Sequence, residues 1–457
     1  MQGTAAVEEI LNDVEAALKE AKAPSRLEVD AILSRAGELK GLSIRDAAAL
    51  LMAEDEDTVA AIREKAAEVK EAVFGPRVVL FAPLYLSNYC SNDCLYCGFR
   101  KSNSLARRKA LSPDEAVEQA KILSRMGFKR IILVAGEHPL HSGVDYLVKV
   151  AREIYSRTDV RILHVNSAPV SVEDFRKIKA AGYGVYQCFQ ETYHRPTYKT
   201  LHPTGRKSDF LYRLSAMDRA LEAGFGDVGI GPLLGLYDYH YDALAAIAHS
   251  KHLEANFGAS AHTISVPRLR PAEGAGIKDA PYPVSDEEFK KIVAVYRLSV
   301  PQAGVVISTR EPAKLREESL SCGASQISAG SSTEPGGYDG GVHSTAQFDL
   351  ADHRPLNEMV RIIAEAGFLP SLCTACYRSG RQGPDFLNAA SSGKLKELCT
   401  ANALLSLKEY LLDVVPDGRE RVEAALERFL DGFQGPLRED LKQKMEMIKE
   451  GKRDVHY

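Results

Sequence analysis

Between residues 78 and 366 the chain alternates eight times between short β-branched or aromatic runs and amphipathic stretches, and few architectures bury both in that order. Candidate strands fall at 78–84, 130–134, 161–165, 184–188, 227–230, 262–266, 305–308 and 325–328, with a last helix expected over 356–366. The helices between them announce their starts. Ser112-Pro113-Asp114-Glu115 reads as a capping box with Pro at the first helical position, and Ser285-Asp286-Glu287-Glu288 repeats the box. Eight strand–helix repeats in roughly 290 residues favour a closed (βα)8 barrel of the α/β class over an open doubly wound sheet. Chemistry is then expected at the C-terminal ends of the strands.

At 457 residues the chain exceeds a barrel of about 250, so segments are appended at both ends. Residues 1–75 read as a helical extension, with Ile10, Leu11, Val14 and Leu18 at helical spacing and a second run from Ala47 to Val73. This extension carries no motif and is expected to be a packing layer or lid. The barrel is assigned to 76–366, and a Cys-bearing helical domain to 367–457. A net charge of -4 without a basic stripe excludes nucleic acid as a partner. The acidic, amphipathic N-terminus does not resemble a signal peptide, and no run of eighteen apolar residues predicts a membrane span. A cytoplasmic location is therefore expected. In that reducing compartment the eight cysteines read first as metal or redox ligands rather than disulfides.

Directly after the first candidate strand, Cys90, Cys94 and Cys97 form C-x3-C-x2-C within YCSNDCLYCGF. Three thiolates on one short loop suit a [4Fe–4S] cube, which keeps one iron free of protein ligands and open to a substrate or cofactor. A structural zinc ion is the alternative. It normally closes its tetrahedron with a fourth Cys or His, and none stands at short spacing after Cys97.

This loop resembles that of the radical S-adenosylmethionine (SAM) superfamily, whose motif is C-x3-C-x-aromatic-C, with Tyr96 supplying the aromatic. The resemblance implies that the open iron chelates the amino and carboxylate groups of SAM. One electron from the cluster then breaks a C–S bond to give methionine and a 5′-deoxyadenosyl radical. It also implies roles at the strand ends: Ala135-Gly136-Glu137 for the SAM amino group, Glu191 for the ribose and Arg213 for the SAM carboxylate. The backbone of Gly229-Ile230-Gly231 would pass the adenine. Singly, each has a plainer explanation as a surface acid or turn glycine; their order along the barrel points to SAM.

A second triplet, Cys373, Cys376 and Cys399, gives C-x2-C-x22-C beyond the expected barrel. It suits another cube with an open iron, or a zinc ion completed by a distant His. Cys188 and Cys322 stand singly and read as buried apolar thiols. With both triplets, the chain resembles over almost its whole length the tyrosine lyases of [FeFe]-hydrogenase maturation, the HydG type. CFQETYHRPTYKTLHPTGRKSDF, DVGIGPLLGLYDY, HTISVPRLRPA and CTACYRSGRQG are among the stretches that carry the likeness.

That resemblance implies a reaction in which the deoxyadenosyl radical takes hydrogen from the amino group of L-tyrosine and the Cα–Cβ bond breaks. The products are p-cresol and dehydroglycine, and the latter becomes carbon monoxide and cyanide on iron at the second cluster. Implied partners are an electron donor such as ferredoxin or flavodoxin, and the hydrogenase maturation proteins. His262 is the implied ligand of an extra iron at the second cluster; alone, a His at a strand start reads as a core residue or a ligand, and Fe(II) accepts imidazole. Arg310, ending the seventh strand, is expected to hold the tyrosine carboxylate in a bidentate fork with help from the Ser328 hydroxyl. A structural ion pair, or competition from Arg268 or Arg270, is the alternative. Open irons at opposite ends of a barrel imply a passage lined by small or polar residues where bulky ones usually pack. Two rival readings remain: a tyrosine lyase of thiazole biosynthesis, which stops at dehydroglycine and lacks the second cluster, and an iron–sulfur scaffold, which would not need the SAM residues.

Overall fold

In the computed structural model, which describes residues 2–341, 344–414 and 416–457, all eight expected strands form and close into a parallel barrel. They are β1 (Arg77–Ser87), β2 (Arg130–Ala135), β3 (Ile162–Asn166), β4 (Tyr183–Gln187), β5 (Asp227–Ile230), β6 (Thr263–Ser265), β7 (Gly304–Ile307) and β8 (Gln326–Ser328). β1 closes the ring, pairing with β2 from Ala82↔Ile131 onward and with β8 from Val79↔Gln326 to Phe81↔Ser328. It is buried along nearly its whole length, as a parallel strand beneath covering helices must be. Both expected capping boxes form. Ser112 Oγ accepts from the Glu115 N–H at 3.2 Å while the Glu115 carboxylate accepts from the Ser112 N–H at 2.7 Å, and Ser285 and Glu288 repeat the pattern. Each such cap stabilises its helix by about 1 kcal/mol.

The N-terminal extension contains four helices, α1 (Gln2–Glu20), α2 (Arg26–Ala36), α3 (Ile44–Leu51) and α4 (Glu56–Phe74). The apolar run from Ala47 to Val73 spans α3 and α4. Asp55 breaks it by taking the N-cap of α4, where its carboxylate accepts from the Thr58 N–H at 2.9 Å. α1 packs along the barrel helix Tyr239–Phe257 and α4 along Asp286–Ser299, which makes the extension an outer layer.

The chain beyond the barrel helix Leu356–Glu365 adds a strand that sequence reading does not anticipate, β9 (Leu369–Ser371). It pairs with Arg77–Val79 of β1, the part of that strand that lies below the start of β2, and the long helix Lys394–Asp413 packs on it. The first and last strands therefore meet at the N-terminal end of the barrel. Inward positions include Arg130, His164, Asn166, Gln187, Thr263 and Gln326 alongside Phe81, Ile132, Val185 and Val306, so the interior mixes polar and apolar side chains around a cavity instead of packing solid.

Candidate functional site

The loop after β1 carries Cys90, Cys94 and Cys97 to the C-terminal mouth of the barrel, where all three rim a cavity of about 200 Å³. The loop is held from several sides. Arg108 donates to the carbonyls of Asn88, Phe99 and Arg100, and the Arg100 guanidinium meets Asp93 at 2.8 Å. The turn Cys97 N–H to Cys94 carbonyl, 3.2 Å, sets the spacing of the last two thiols. Burial pushes the thiols up, to about 11 for Cys90 and Cys97 and about 12 for Cys94, so the protein alone does not stabilise three thiolates here. A cationic centre would. Tyr96 also lines the cavity, but its hydroxyl is turned away to His202 Nε2 at 2.7 Å, the tautomer being fixed by His202 Nδ1 donating to the Tyr198 carbonyl.

Four charges sit beside the loop. Arg213 Nη1 donates to Glu137 at 2.7 Å and Lys207 Nζ donates to Glu191 at 2.6 Å, while Asn92 donates to the other Glu137 oxygen. Burial alone would raise both carboxyls, yet Arg213 and Lys207 hold them below their ordinary values, so both are anionic. Glu191 has a φ of 72°, a left-handed conformation that costs a non-glycine residue about 1–2 kcal/mol and turns its carboxylate inward. Two anions and two cations in one buried patch match a zwitterionic amino-acid group with a neighbouring sulfonium. Lys207 and Asn92 escape sequence reading; Lys207 lies in the turn Gly205–Ser208, where a lone Lys gives no periodic signal.

Ala135 ends β2, and Gly136 follows it. A Cβ on Gly136 would collide with the Tyr89 carbonyl oxygen, so only glycine lets the cysteine loop lie against this strand. Gly136→Ala is expected to cost about 1–3 kcal/mol by overpacking and to lower iron content at the first site alone. Denaturation and iron analysis of the variant check this, and full loading of the first site would contradict it. Gly229 and Gly231 are explained by barrel packing: a Cβ on Gly229 would press on Thr263 and Gln187, and one on Gly231 on the Ser265 carbonyl.

Across the cavity, the Arg310 guanidinium lies 3.3 Å from the centre of the Phe348 ring, and among the described residues it makes no ion pair, Glu191 and Glu311 acting on it only at longer range. Ser328 lines the same wall, its Oγ accepting from the Thr309 N–H at 3.1 Å. Arg268 is consumed by Glu311 and Asp286, at 2.6 and 2.8 Å, and Arg270 does not face the cavity. Phe348, together with Gln347, Ser331 and Thr333, comes from the long loop after β8 and lines the cavity; no sequence motif marks it.

At the other end of the barrel, Cys373, Cys376, Cys399 and His262 rim a second cavity of about 40 Å³, with Arg77 and Arg130 from the first positions of β1 and β2. β9 places Cys373, the short helix Ala375–Arg378 places Cys376, and the helix Lys394–Asp413 places Cys399. Burial raises all three thiols. His262 Nε2 meets the Tyr377 hydroxyl at 2.9 Å, and its Nδ1 lies 3.4 Å from Asp227. Cys188 and Cys322 are buried away from both triplets' cavities.

Among the described residues no three Cys, His, Asp or Glu side chains converge on a point suited to a single ion. Each cysteine triplet nonetheless rims one cavity, as a multi-atom cluster requires and a zinc ion does not.

Residues 84–249 match the Radical SAM superfamily, and residues 265–369 match the Biotin and Thiamin Synthesis associated domain. With the barrel and its three-cysteine loop, these matches define a radical SAM enzyme. The crystal structure of HydG, a maturase of the [FeFe]-hydrogenase, is 46% identical with a TM-score of 0.93 over 98% of this chain and 99% of that one. HydG from Carboxydothermus hydrogenoformans, an FeFe-hydrogenase maturase, is 38% identical with a TM-score of 0.86 over 97% and 99%. 2-Iminoacetate synthase from Salmonella typhimurium is 33% identical over 339 residues, 74% of this chain and 89% of its own. The chain belongs to the HydG family. Among its described residues, no helix is long and apolar enough to cross a membrane.

Proposed function

We propose that this protein splits L-tyrosine between Cα and Cβ into p-cresol and dehydroglycine at the upper site. It then converts the dehydroglycine to carbon monoxide and cyanide on iron at the lower site, for assembly of the [FeFe]-hydrogenase active centre in the cytoplasm. The observation that carries the reading is the pairing of two three-cysteine cavities at opposite ends of one hollow barrel. Two [4Fe–4S] clusters would be held by Cys90, Cys94 and Cys97 above and by Cys373, Cys376 and Cys399 below, with His262 as ligand of an extra iron. When bound, the upper cluster and SAM supply a 5′-deoxyadenosyl radical, with the electron coming from a donor such as ferredoxin or flavodoxin.

The chain's own residues bind, orient and exclude water. Glu137 would receive the SAM ammonium and Arg213 its carboxylate, each already held at 2.7 Å from the other. Glu191 would accept from the ribose. Arg310, stacked on Phe348, offers a fork to the tyrosine carboxylate, and the Ser328 hydroxyl flanks it. Ser331, Thr333, Gln347 and Phe348 from the loop after β8 line the cavity and would help to exclude water when it is filled. Arg310→Lys is expected to weaken tyrosine use by about 1.5–3 kcal/mol, roughly 10- to 150-fold in kcat/KM, and to spare SAM binding, because an ammonium cannot reproduce the fork. Unchanged tyrosine kinetics would transfer the role elsewhere.

The 2-iminoacetate synthase likeness supports the tyrosine-splitting half and raises the reading of an enzyme that stops at the imine. The second cysteine cavity favours the longer reaction, for which an imine-releasing enzyme has no use. A bare cluster scaffold would not need the Glu137–Arg213 and Glu191–Lys207 pairs. Anaerobic reconstitution with dithionite, SAM and L-tyrosine, followed by product analysis, tests the proposal; absence of p-cresol would overturn it.

A further inference from the structure

Below the SAM and tyrosine residues, polar side chains from the barrel strands lie where the upper and the lower cavity meet. Arg130 opens β2 and Gln326 opens β8, and both line the upper and the lower cavity. Arg130 is 8% exposed; one guanidinium nitrogen, Nη2, donates to the Cys373 carbonyl at 2.7 Å, but Nε has no partner and no carboxylate faces it among the described residues. His164, on β3, is 3% exposed and its Nδ1 is likewise unpartnered. The Gln326 side chain lines both cavities beside them. Buried donors and acceptors are normally satisfied, and leaving one unmade is costly, so two such atoms in one belt between two cavities indicate a ligand that is itself polar. Tyr377 closes the floor, its ring 4.9 Å from His164 and 5.3 Å from the Arg130 guanidinium carbon.

We propose that Arg130, His164 and Gln326 form a holding station, between the two cysteine sites, for a two-carbon α-imino carboxylate. The inference rests on the tyrosine-splitting reading, whose dehydroglycine is such a molecule. The free edge of the Arg130 guanidinium takes the carboxylate. Burial, with Arg130 and His262 nearby, disfavours the charged form of His164; in the tautomer that carries its proton on Nε2, Nδ1 accepts from the imine N–H, and the Gln326 amide completes the shell. Holding the imine in a buried belt protects it from hydrolysis, in which HN=CH–COO⁻ and H2O give OHC–COO⁻ and NH3.

The test uses the reconstituted holoenzyme with both clusters, as wild type, Arg130→Ala and Arg130→Lys. The probe is oxamate, a stable planar carboxylate with an amide in place of the imine, titrated calorimetrically under anaerobic conditions. Arg130→Ala is expected to weaken oxamate binding at least about tenfold, with partial recovery in Arg130→Lys. In turnover with SAM and tyrosine, glyoxylate formed per p-cresol should rise in the same order. Cluster content of each variant, read by electron paramagnetic resonance, separates a binding role from a structural one. Oxamate affinity that ignores position 130, or a glyoxylate-to-p-cresol ratio equal to wild type, overturns the proposal. So does a loss confined to cluster content. Failure of the wild type to form p-cresol would instead sink the tyrosine reading, while the oxamate titration still reports on Arg130.

Discussion

Changing Cys90, Cys94 and Cys97 together to Ala is expected to reduce 5′-deoxyadenosine formation to background while the barrel still folds. The three thiols belong to a loop that hangs outside the hydrogen-bonded ring of strands, and its anchors, Arg108 to three carbonyls and Arg100 to Asp93, use none of the sulfurs. Folding therefore does not depend on them. SAM cleavage does, because the charge pairs Glu137–Arg213 and Glu191–Lys207 can bind a zwitterion but cannot supply an electron. Circular dichroism and quantified 5′-deoxyadenosine on the same samples check both halves. Residual cleavage above background in the triple variant would remove the first triplet from the chemistry.

The second large effect is expected to be selective. Cys373→Ala with Cys376→Ala should leave p-cresol formation in place, since the aromatic half of the substrate is released at the upper site. Infrared bands of iron-bound CO and CN should vanish, because dehydroglycine then has no metal to receive it. The structural basis is separation: Cys373 follows β9 at the foot of β1, whereas Cys90 follows the top of the same strand. His262→Ala should show the same split less severely, as the three thiols remain while the imidazole that shares their cavity is lost. Equal loss of p-cresol and of the bound diatomics in the double variant, with the protein folded, would mean that the lower cysteines support the radical step and that the two-site division is wrong.

What could be read from the sequence depended on whether a feature repeats or clusters locally. The eight barrel strands were legible because short β-branched or aromatic runs alternate with amphipathic stretches, and all eight are present. β9 was not, since Leu369-Pro370-Ser371 is three residues with a central proline and is defined only by its pairing with β1. The cysteine triplets were legible by spacing, and the structure gathers Cys399 and His262 to Cys373 and Cys376 from distant elements. Lys207, Asn92 and Phe348 were not legible. They come from turns and a long loop, and what selects them is the charge or the ring they meet across the cavity. Arg310 could be named but not separated from Arg268 until the ion pairs of Arg268 with Glu311 and Asp286 were visible.

The strand that joins the two ends of the molecule also dictates its biosynthesis. Val79 of β1 pairs with Gln326 and with Ser371, and the loop bearing Cys90, Cys94 and Cys97 is braced by the carbonyls of Thr345 and Gln347. A ribosome emitting about 5–20 residues per second therefore exposes the first cysteines for on the order of ten seconds or more before their walls exist. Iron loading of the lower site must wait for Cys399, and that of the upper site for the loop that carries Phe348. During that interval the naked thiols are open to oxidants, so the yield of competent enzyme should track the oxygen exposure of the growing cell more steeply than the stability of the finished fold would suggest.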